Sequence, residues 1–190
     1  MIQKTKKSLY QIGFVCLFAQ LAMAQSATYP GKNILMDYVF KDSTGTAVKL
    51  SDYRGKYLML DIWYSGCGGC ISVNEGLSVV HEKLKDSNLV FFSISVDKER
   101  EKWMASITPN AKPTKLNPWA AKYVPYAGTV ALYTGGTRYE NEFIRKFVPN
   151  NVYPKLMFID KEGNLIDQKP PRPDFEPERL IEFIKEKMSR

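Results

Sequence analysis

Residues 58–70, which read LMLDIWYSGCGGC, constrain the fold of this chain more than any other stretch. An apolar, aromatic-rich run over residues 57–64 predicts a strand that is buried on both faces. Two cysteines, Cys67 and Cys70, follow this run after a Ser-Gly pair. Beyond them, apolar residues recur at helical spacing and predict one buried helix face (Val73, Leu77, Val80 and Leu84). The cysteines are therefore predicted to lie where a buried strand gives way to a helix N-terminus.

A helix N-terminus favours a cysteine thiolate. Its first turn presents unpaired N–H groups and the positive end of the helix dipole. The pKa of a thiol placed there falls from about 8.5 towards a reactive range of roughly 3.5 to 7.5. Two thiols one turn apart can also close a small, reducible disulfide. The pattern predicts thiol–disulfide exchange, with Cys67 as the exposed nucleophile and Cys70 as the more buried thiol that resolves the mixed disulfide.

The same stretch belongs to a longer resemblance. Residues 50–70, LSDYRGKYLMLDIWYSGCGGC, are similar to the segment from the first strands to the active site of TlpA/ResA-like thioredoxins of the bacterial envelope. The resemblance extends from about residue 34 to the C-terminus, and an Asp-x-Trp strand and a later Tyr-Pro pair strengthen it. It implies an α/β thioredoxin-like fold with three α/β/α layers, a central mixed sheet and an N-terminal β-hairpin extension. It also implies a disulfide oxidoreductase whose only redox group is the Cys67–Cys70 disulfide, with no metal ligand and no other cofactor.

The resemblance assigns candidate roles to three residues near the cysteines. Asp61 matches the buried acid of thioredoxin, so we expect a proton acceptor with a raised pKa that serves the thiols. The alternative for Asp61 is a strand residue facing solvent, since a buried carboxylate is costly unless it is paired or protonated. Trp63 matches the active-site tryptophan, with a plain core residue as the alternative. Gly66 stands where thioredoxin has a second tryptophan, so we expect a more open wall there.

Tyr153 and Pro154 precede a predicted strand and complete the expected substrate surface. In thioredoxin-like proteins the proline at this place is cis and faces the cysteine pair, whereas an ordinary trans proline is the alternative. The resemblance thus implies substrate binding by Tyr153 and Pro154 together with residues around the motif (Trp63, Gly66, Gly68 and Gly69).

Three residues on the predicted helix bear on proton transfer. Many TlpA/ResA-like proteins carry a Glu three residues after the second cysteine, where this chain has Val73 on the buried face. Glu75 falls on another face, so Asp61 remains the main candidate acceptor. His81, the only histidine, has polar neighbours one turn away and is predicted to be a surface residue.

The N-terminal part of the 190-residue chain predicts export. Residues 1–24 have the pattern of a secretory signal, with early lysines, an apolar run over residues 12–21 and an Ala-Met-Ala cleavage site. An uncleaved membrane anchor is the alternative. Cleavage would remove Cys16 and leave only the CxxC pair, which fits an oxidising, periplasmic or extracytoplasmic location.

The remainder predicts one domain. Residues 25–33 are a polar linker, and residues 34–190 form the thioredoxin-like domain with a proline-rich loop insertion at 108–128. Three aromatic residues, Trp119, Tyr123 and Tyr126, could make that loop a partner-recognition flap, although packing on the domain is the alternative. The other predicted elements are strands at 34–40, 47–50, 89–96, 130–133, 155–160 and 164–168, and helices at 98–107, 139–148 and 176–187.

Charge and composition limit the partners. The net charge of +7 comes from Lys and Arg scattered among Asp and Glu, without the basic stripe that nucleic-acid binding requires. We therefore expect no nucleic-acid partner. We also expect a monomer. Its expected partners, at the level of the family, are disulfide-containing envelope proteins and an upstream membrane electron donor.

Other functions compete with disulfide exchange. A thiol peroxidase of the peroxiredoxin branch would need an active loop of the form Pro-x-x-x-Thr/Ser-x-x-Cys, and the residues before Cys67 contain no Pro or Thr. A non-enzymatic Cu(I) module could use two thiolates. A purely structural disulfide would stabilise little, because the loop it closes is short.

Gly68 and Gly69 supply no side chain to stabilise a thiolate, which together with the resemblance favours a reductase.

Overall fold

The computed structural model describes residues 37–85 and 87–189. The predicted signal, the linker and the start of the first strand lie outside the described residues and stay predictions. No helix in the described part of the chain is both long enough and apolar enough to cross a membrane.

One sheet of seven strands organises the described residues. Its strands are β1 (Val39–Lys41), β2 (Ala47–Lys49), β3 (Tyr57–Trp63), β4 (Leu89–Ser95), β5 (Val130–Tyr133), β6 (Lys155–Ile159) and β7 (Leu165–Asp167). The helices are α1 (Gly68–Leu84), α2 (Arg100–Ile107), α3 (Glu142–Phe147) and α4 (Pro177–Met188). Two 3₁₀ turns cover Leu50–Tyr53 and Arg138–Glu140.

Strand β3 lies in the interior of the sheet, whose order is β2-β1-β5-β4-β3-β6-β7. It pairs parallel with β4 and antiparallel with β6, and all seven of its residues are buried. The predicted mixed sheet is therefore confirmed. The β1–β2 hairpin joins the sheet through an antiparallel contact with β5, which confirms the predicted N-terminal extension.

Side chains of β3 alternate between the two faces of the sheet. Leu58, Leu60 and Ile62 pack in the core that includes α3, whereas Met59 packs in the core that includes α1 and α4. The predicted three-layer arrangement follows from these two cores. Because alternate residues share a face, Asp61 lies on the face of the sheet that α1 covers, in line with Met59.

Two helices differ from the prediction by more than one residue in their bounds. Helix α2 begins at Arg100 rather than at residue 98. The helix predicted at 139–148 is divided into a 3₁₀ turn and α3, because Asn141 interrupts it. The side chain of Asn141 accepts hydrogen bonds from the N–H groups of Phe143 and Ile144 and so caps a new helix start.

Gly76 allows α1 to approach the segment that precedes α4. A Cβ atom at this position would lie 2.3 Å from the backbone oxygen of Pro173. We expect Gly76→Ala to lower the free energy of unfolding by about 1–3 kcal/mol, because the backbone or the helix must move. Urea denaturation would measure this loss. Gly68→Ala, in the same helix but with nothing within 4 Å of the added atom, should cost no stability. Equal stability of the two variants would contradict the close approach.

Candidate active site

Cys67 and Cys70 are joined in a disulfide at the start of α1. Cys67 is the N-cap, with extended backbone (φ −82°, ψ 99°), and Cys70 lies in the first turn. The backbone N–H of Cys70 donates to the Sγ atom of Cys67 at 3.2 Å. In the reduced protein this donor and the helix dipole would both stabilise a thiolate on Cys67.

The two sulfurs differ slightly in access. Cys67 is 6% exposed and Cys70 is fully buried. The order of access agrees with the predicted order of attack, but Cys67 is nearly covered in the disulfide form rather than openly exposed. Gly68 and Gly69 beside it are both exposed, so the surface of the motif that a partner can approach is mainly backbone.

The turn before Cys67 is held by a buried carboxylate. Both the N–H and the Oγ–H of Ser65 donate to Asp97, at 3.0 and 2.6 Å, and the hydroxyl of Ser95 donates to it at 2.8 Å. The hydroxyl of Ser106 lies 2.7 Å from that of Ser65 and links α2 to the same network. The bonds to the N–H and hydroxyl of Ser65 hold the turn that precedes Cys67, and the other bonds tie this turn to β4 and α2.

The wall at Gly66 is closed rather than open, contrary to our expectation. Gly66 has φ +97°, a conformation that favours glycine, and the indole of Trp119 lies against it. A Cβ atom at Gly66 would be 2.9 Å from Nε1 of Trp119. Trp119 is 37% exposed, so the indole of a distant loop residue forms a surface beside Cys67.

Asp61 is buried, so the alternative of a solvent-facing residue is wrong. Its Oδ2 accepts a hydrogen bond from the hydroxyl of Tyr123, and its Oδ1 has no partner among the described residues. Burial raises the pKa of Asp61 to about 7, while the Tyr123 hydrogen bond and the charge of Arg172 oppose the rise. A carboxyl with such a pKa can both accept and release a proton near neutral pH.

Trp63 is fully buried, which is the core placement that was the alternative to a substrate contact. Its indole N–H donates to the hydroxyl of Ser93 at 2.8 Å. Its ring stacks on Tyr123, with centroids 3.5 Å apart and planes 7° from parallel. Trp63 and Tyr123 belong to the apolar cluster that also contains both cysteines.

Pro154 lies beside the CxxC motif, and the Tyr153–Pro154 peptide bond is cis. The Cδ atom of Pro154 is 3.6 Å from where a Cβ atom of Gly69 would be. Tyr153 packs edge-on against Tyr64, with ring centroids 5.6 Å apart. The structure thus brings Tyr153 and Pro154 to the cysteine pair from a segment some eighty residues later in the chain.

A groove of about 540 Å³ that opens to solvent has Pro154 in its lining. Its walls come from the end of α3, from β6 and from the segment after β7. They are mostly apolar (Val148, Pro149, Val152, Leu156, Pro170 and Pro171).

The remaining residues singled out in the sequence, Val73, Glu75 and His81, all lie on α1. Val73 is buried and Glu75 is exposed on α1, as predicted. His81 is half-buried rather than freely exposed, because its ring packs against Phe91 and Tyr126, with centroids 5.2 Å away in each case. Within residues 37–85 and 87–189, no group of three or more His, Cys, Asp or Glu side chains could hold a metal ion.

Sequence reasoning named Trp119 and Tyr123 only as aromatic residues of the 108–128 loop, without a place beside the cysteines, and it missed Asp97. Tyr123 and Trp119 come from residues 108–129, which contain no helix or strand and carry no periodic signal. Asp97 did have a usable signal. It follows the buried strand β4, and the carboxyl ends of neighbouring parallel strands meet at the same edge of a sheet.

Comparisons with known proteins agree with this architecture. A family model described as the AhpC/TSA family matches residues 32–168, which is more than half of the chain. A thiol-disulfide oxidoreductase from Bacteroides fragilis NCTC 9343 has a TM-score of 0.59 at 20% identity, over 78% of this chain and 95% of the other. The thioredoxin domain of a thiol-disulfide oxidoreductase from Bacteroides vulgatus gives 0.58 at 19% identity, over 83% and 98%.

A third structure, described as a thiol:disulfide interchange protein DsbE from Chlorobium tepidum, gives a TM-score of 0.58 at 20% identity, over 84% of this chain and 96% of the other. At such identities the three likenesses show the fold. They confirm that it is thioredoxin-like.

Proposed function

Because this chain belongs to the AhpC/TSA family, with its match over residues 32–168, we propose that it is a thiol–disulfide oxidoreductase. It would exchange its Cys67–Cys70 pair with disulfides of other proteins. The observation that carries the proposal is the position of Cys67 as the N-cap of α1, with the N–H of Cys70 directed at its sulfur. The names of the structurally similar proteins support the same chemistry.

The reaction begins from the reduced pair. The Cys67 thiolate attacks one sulfur of a substrate disulfide, and the other substrate sulfur leaves as a thiolate. The Cys70 thiol then gives its proton to Asp61 and attacks Sγ of Cys67. The second substrate thiolate leaves, and the Cys67–Cys70 disulfide forms. Two electrons pass from the pair to the substrate, which is reduced as the pair is oxidised.

The groove beside Pro154 supports a polypeptide substrate. Pro154, which lies beside the motif, is part of its lining, and that lining is mostly apolar. A chain segment next to a substrate disulfide could lie along it while the backbone of Tyr153 pairs with that segment. A peroxide, which is a small molecule, would have no use for such a groove.

The proposal also covers the direction of electron flow, the location of the protein and its partners. Gly68 and Gly69 supply no side chain to stabilise the reduced form, which favours a reductase. The signal-like pattern of residues 1–24 favours export to the periplasm or another extracytoplasmic space, and the name of the DsbE-like structure is in keeping with this. The partners would be disulfide-containing envelope proteins and a membrane electron donor that reduces the pair again.

A competition between two oxidants tests the function. The reduced protein is mixed with a protein disulfide, such as that of insulin, or with hydrogen peroxide, and oxidation of the pair is followed by mass spectrometry. We expect faster reaction with the protein disulfide and no disulfide reduction by Cys67→Ser. Preferential reaction with peroxide would favour the peroxidase instead. A reduction potential near thioredoxin's ~−270 mV, rather than the ~−120 mV of a strong oxidant, would indicate a reductase.

A further inference from the structure

We propose that Tyr123 is a positioning residue for disulfide exchange, because its hydroxyl orients the Asp61 carboxyl so that one oxygen remains available to take the proton of Cys70. This inference rests on the proposed function and assigns a part of that site to the 108–128 loop.

Contacts on every side fix Tyr123 in place. Its ring stacks on Trp63, its hydroxyl donates to Oδ2 of Asp61, and only 2% of the residue is exposed. Its backbone N–H donates to the carbonyl of Ser106 in α2 at 3.0 Å, and that of Ala121 donates to the carbonyl of Ala105 at 2.8 Å. The position of the hydroxyl is therefore set by both the strand β3 and the helix α2, not by a free loop.

The two carboxyl oxygens of Asp61 differ in their hydrogen bonding. Oδ2 accepts a hydrogen bond from the Tyr123 hydroxyl. An ionised carboxylate has no proton to donate, so the hydroxyl must be the donor while Asp61 is ionised. Oδ1 is buried and has no partner within the described residues. An unpaired buried oxygen is costly, and Asp61 is hydrogen-bonded to Tyr123, which belongs to the apolar cluster that contains both cysteines, so we assign Oδ1 as the proton site. In the resolving step the Sγ–H bond of Cys70 would break and an Oδ1–H bond would form.

The Tyr123 hydroxyl also adjusts the acidity of Asp61. Burial raises the pKa of Asp61 to about 7, and the hydrogen bond from Tyr123 and the charge of Arg172 lower it. Tyr126 is the other titratable group that interacts with Asp61, while the neighbours across the sheet, Ser93 and Leu156, do not titrate. Burial and the charge of Asp61 raise the pKa of Tyr123 itself, so its hydroxyl keeps its proton and remains a donor.

Tyr123→Phe tests the proposal, because it removes the hydroxyl and keeps the ring that stacks on Trp63. The measured quantity is the rate at which Cys70 releases a coloured thiol from a preformed mixed disulfide on Cys67, from pH 5 to pH 9. We expect the inflection of this profile to move up by about one pH unit, which corresponds to roughly five-fold slower release at pH 7. The first attack by Cys67 should keep its wild-type rate.

Tyr126→Phe is the matched control. Tyr126 lies in the same loop and is largely buried, but its hydroxyl interacts with Thr129 rather than forming a hydrogen bond to Asp61. The rate of thiol release by Tyr126→Phe should depend on pH in the same way as that of the wild type. An unchanged profile in Tyr123→Phe, or an equal shift in both variants, would show that Tyr123 only packs against Trp63.

Two further measurements keep the test decisive. In an Asp61→Asn background, Tyr123→Phe should slow release no further, and an additive effect would overturn the proposal. The carboxyl absorption of Asp61, followed by isotope-edited infrared spectroscopy, gives its pKa without any assay of exchange. A pKa of Asp61 that is higher in Tyr123→Phe supports the orientation by Tyr123, and an equal pKa overturns it. Wild-type protein that exchanges no disulfides would instead refute the proposed function.

Discussion

Replacing Cys70 with Ser should turn a protein that releases its substrate into one that holds it covalently. Cys67 would keep its place as the N-cap and its hydrogen bond from the backbone N–H of residue 70, so the first attack should proceed. A serine hydroxyl cannot resolve the mixed disulfide, so turnover should be lost. Non-reducing electrophoresis and mass spectrometry of the adducts, after mixing with an extract of envelope proteins, would detect the trapped partners.

The matched variant is Cys67→Ser, which should trap nothing because Cys70 is fully buried. In the reduced wild type, Cys67 should react with iodoacetamide before Cys70 at neutral pH. Trapping by the Cys67 variant, or equal alkylation rates for the two thiols, would reverse or remove the assigned roles.

Replacing Asp61 with Asn should make stability less dependent on pH. The pKa of Asp61 is about 7 in the folded protein and 3.8 without its environment. The folded state therefore binds this proton more tightly, and the associated stability is present below about pH 4 and lost as pH rises through 7. The pKa difference corresponds to about 4 kcal/mol. Between pH 4 and pH 8, the free energy of unfolding of Asp61→Asn, measured in urea, should rise relative to that of the wild type by about this amount.

The same variant should slow the resolving step more than the first attack, because the proton acceptor serves Cys70. Glu75→Gln provides the control, since Glu75 is an exposed acid on the helix that carries the cysteines. Parallel stability curves for the wild type and Asp61→Asn would show that Asp61 is ionised in both states. Unchanged rates for both steps would mean that another group takes the proton.

The central strand and the helix after it could be predicted because their signals are local. Strand β3 is an unbroken apolar run, and the buried face of α1 repeats at helical spacing, so neither depends on distant residues. The 130–133 strand has the predicted bounds for the same reason. The burial of Asp61 was expected from the resemblance to thioredoxin, since its apolar neighbours alone left a solvent-facing position open.

The partners of the site could not be predicted because they are distant in sequence. Tyr123 meets Asp61 across 62 residues, from a segment without periodicity. The expectation of an open wall at Gly66 failed because a missing side chain leaves space that another part of the chain can fill, here with Trp119. His81 is half-buried because the rings of Phe91 and Tyr126 pack against it, and the polar neighbours on its own helix could not show these contacts.

Because of where the tryptophans lie, their fluorescence should report the redox state of the Cys67–Cys70 pair. Trp63 and Trp103 lie in the cluster that holds the disulfide, and Trp119 lies on Gly66, next to Cys67. These are all the tryptophans of the chain. Since a disulfide quenches the emission of a nearby excited indole by accepting an electron, reduction of the pair should brighten the intrinsic fluorescence. The wild type and its Asp61 and Tyr123 variants retain the three indoles, so the same unlabelled emission would follow their oxidation in real time.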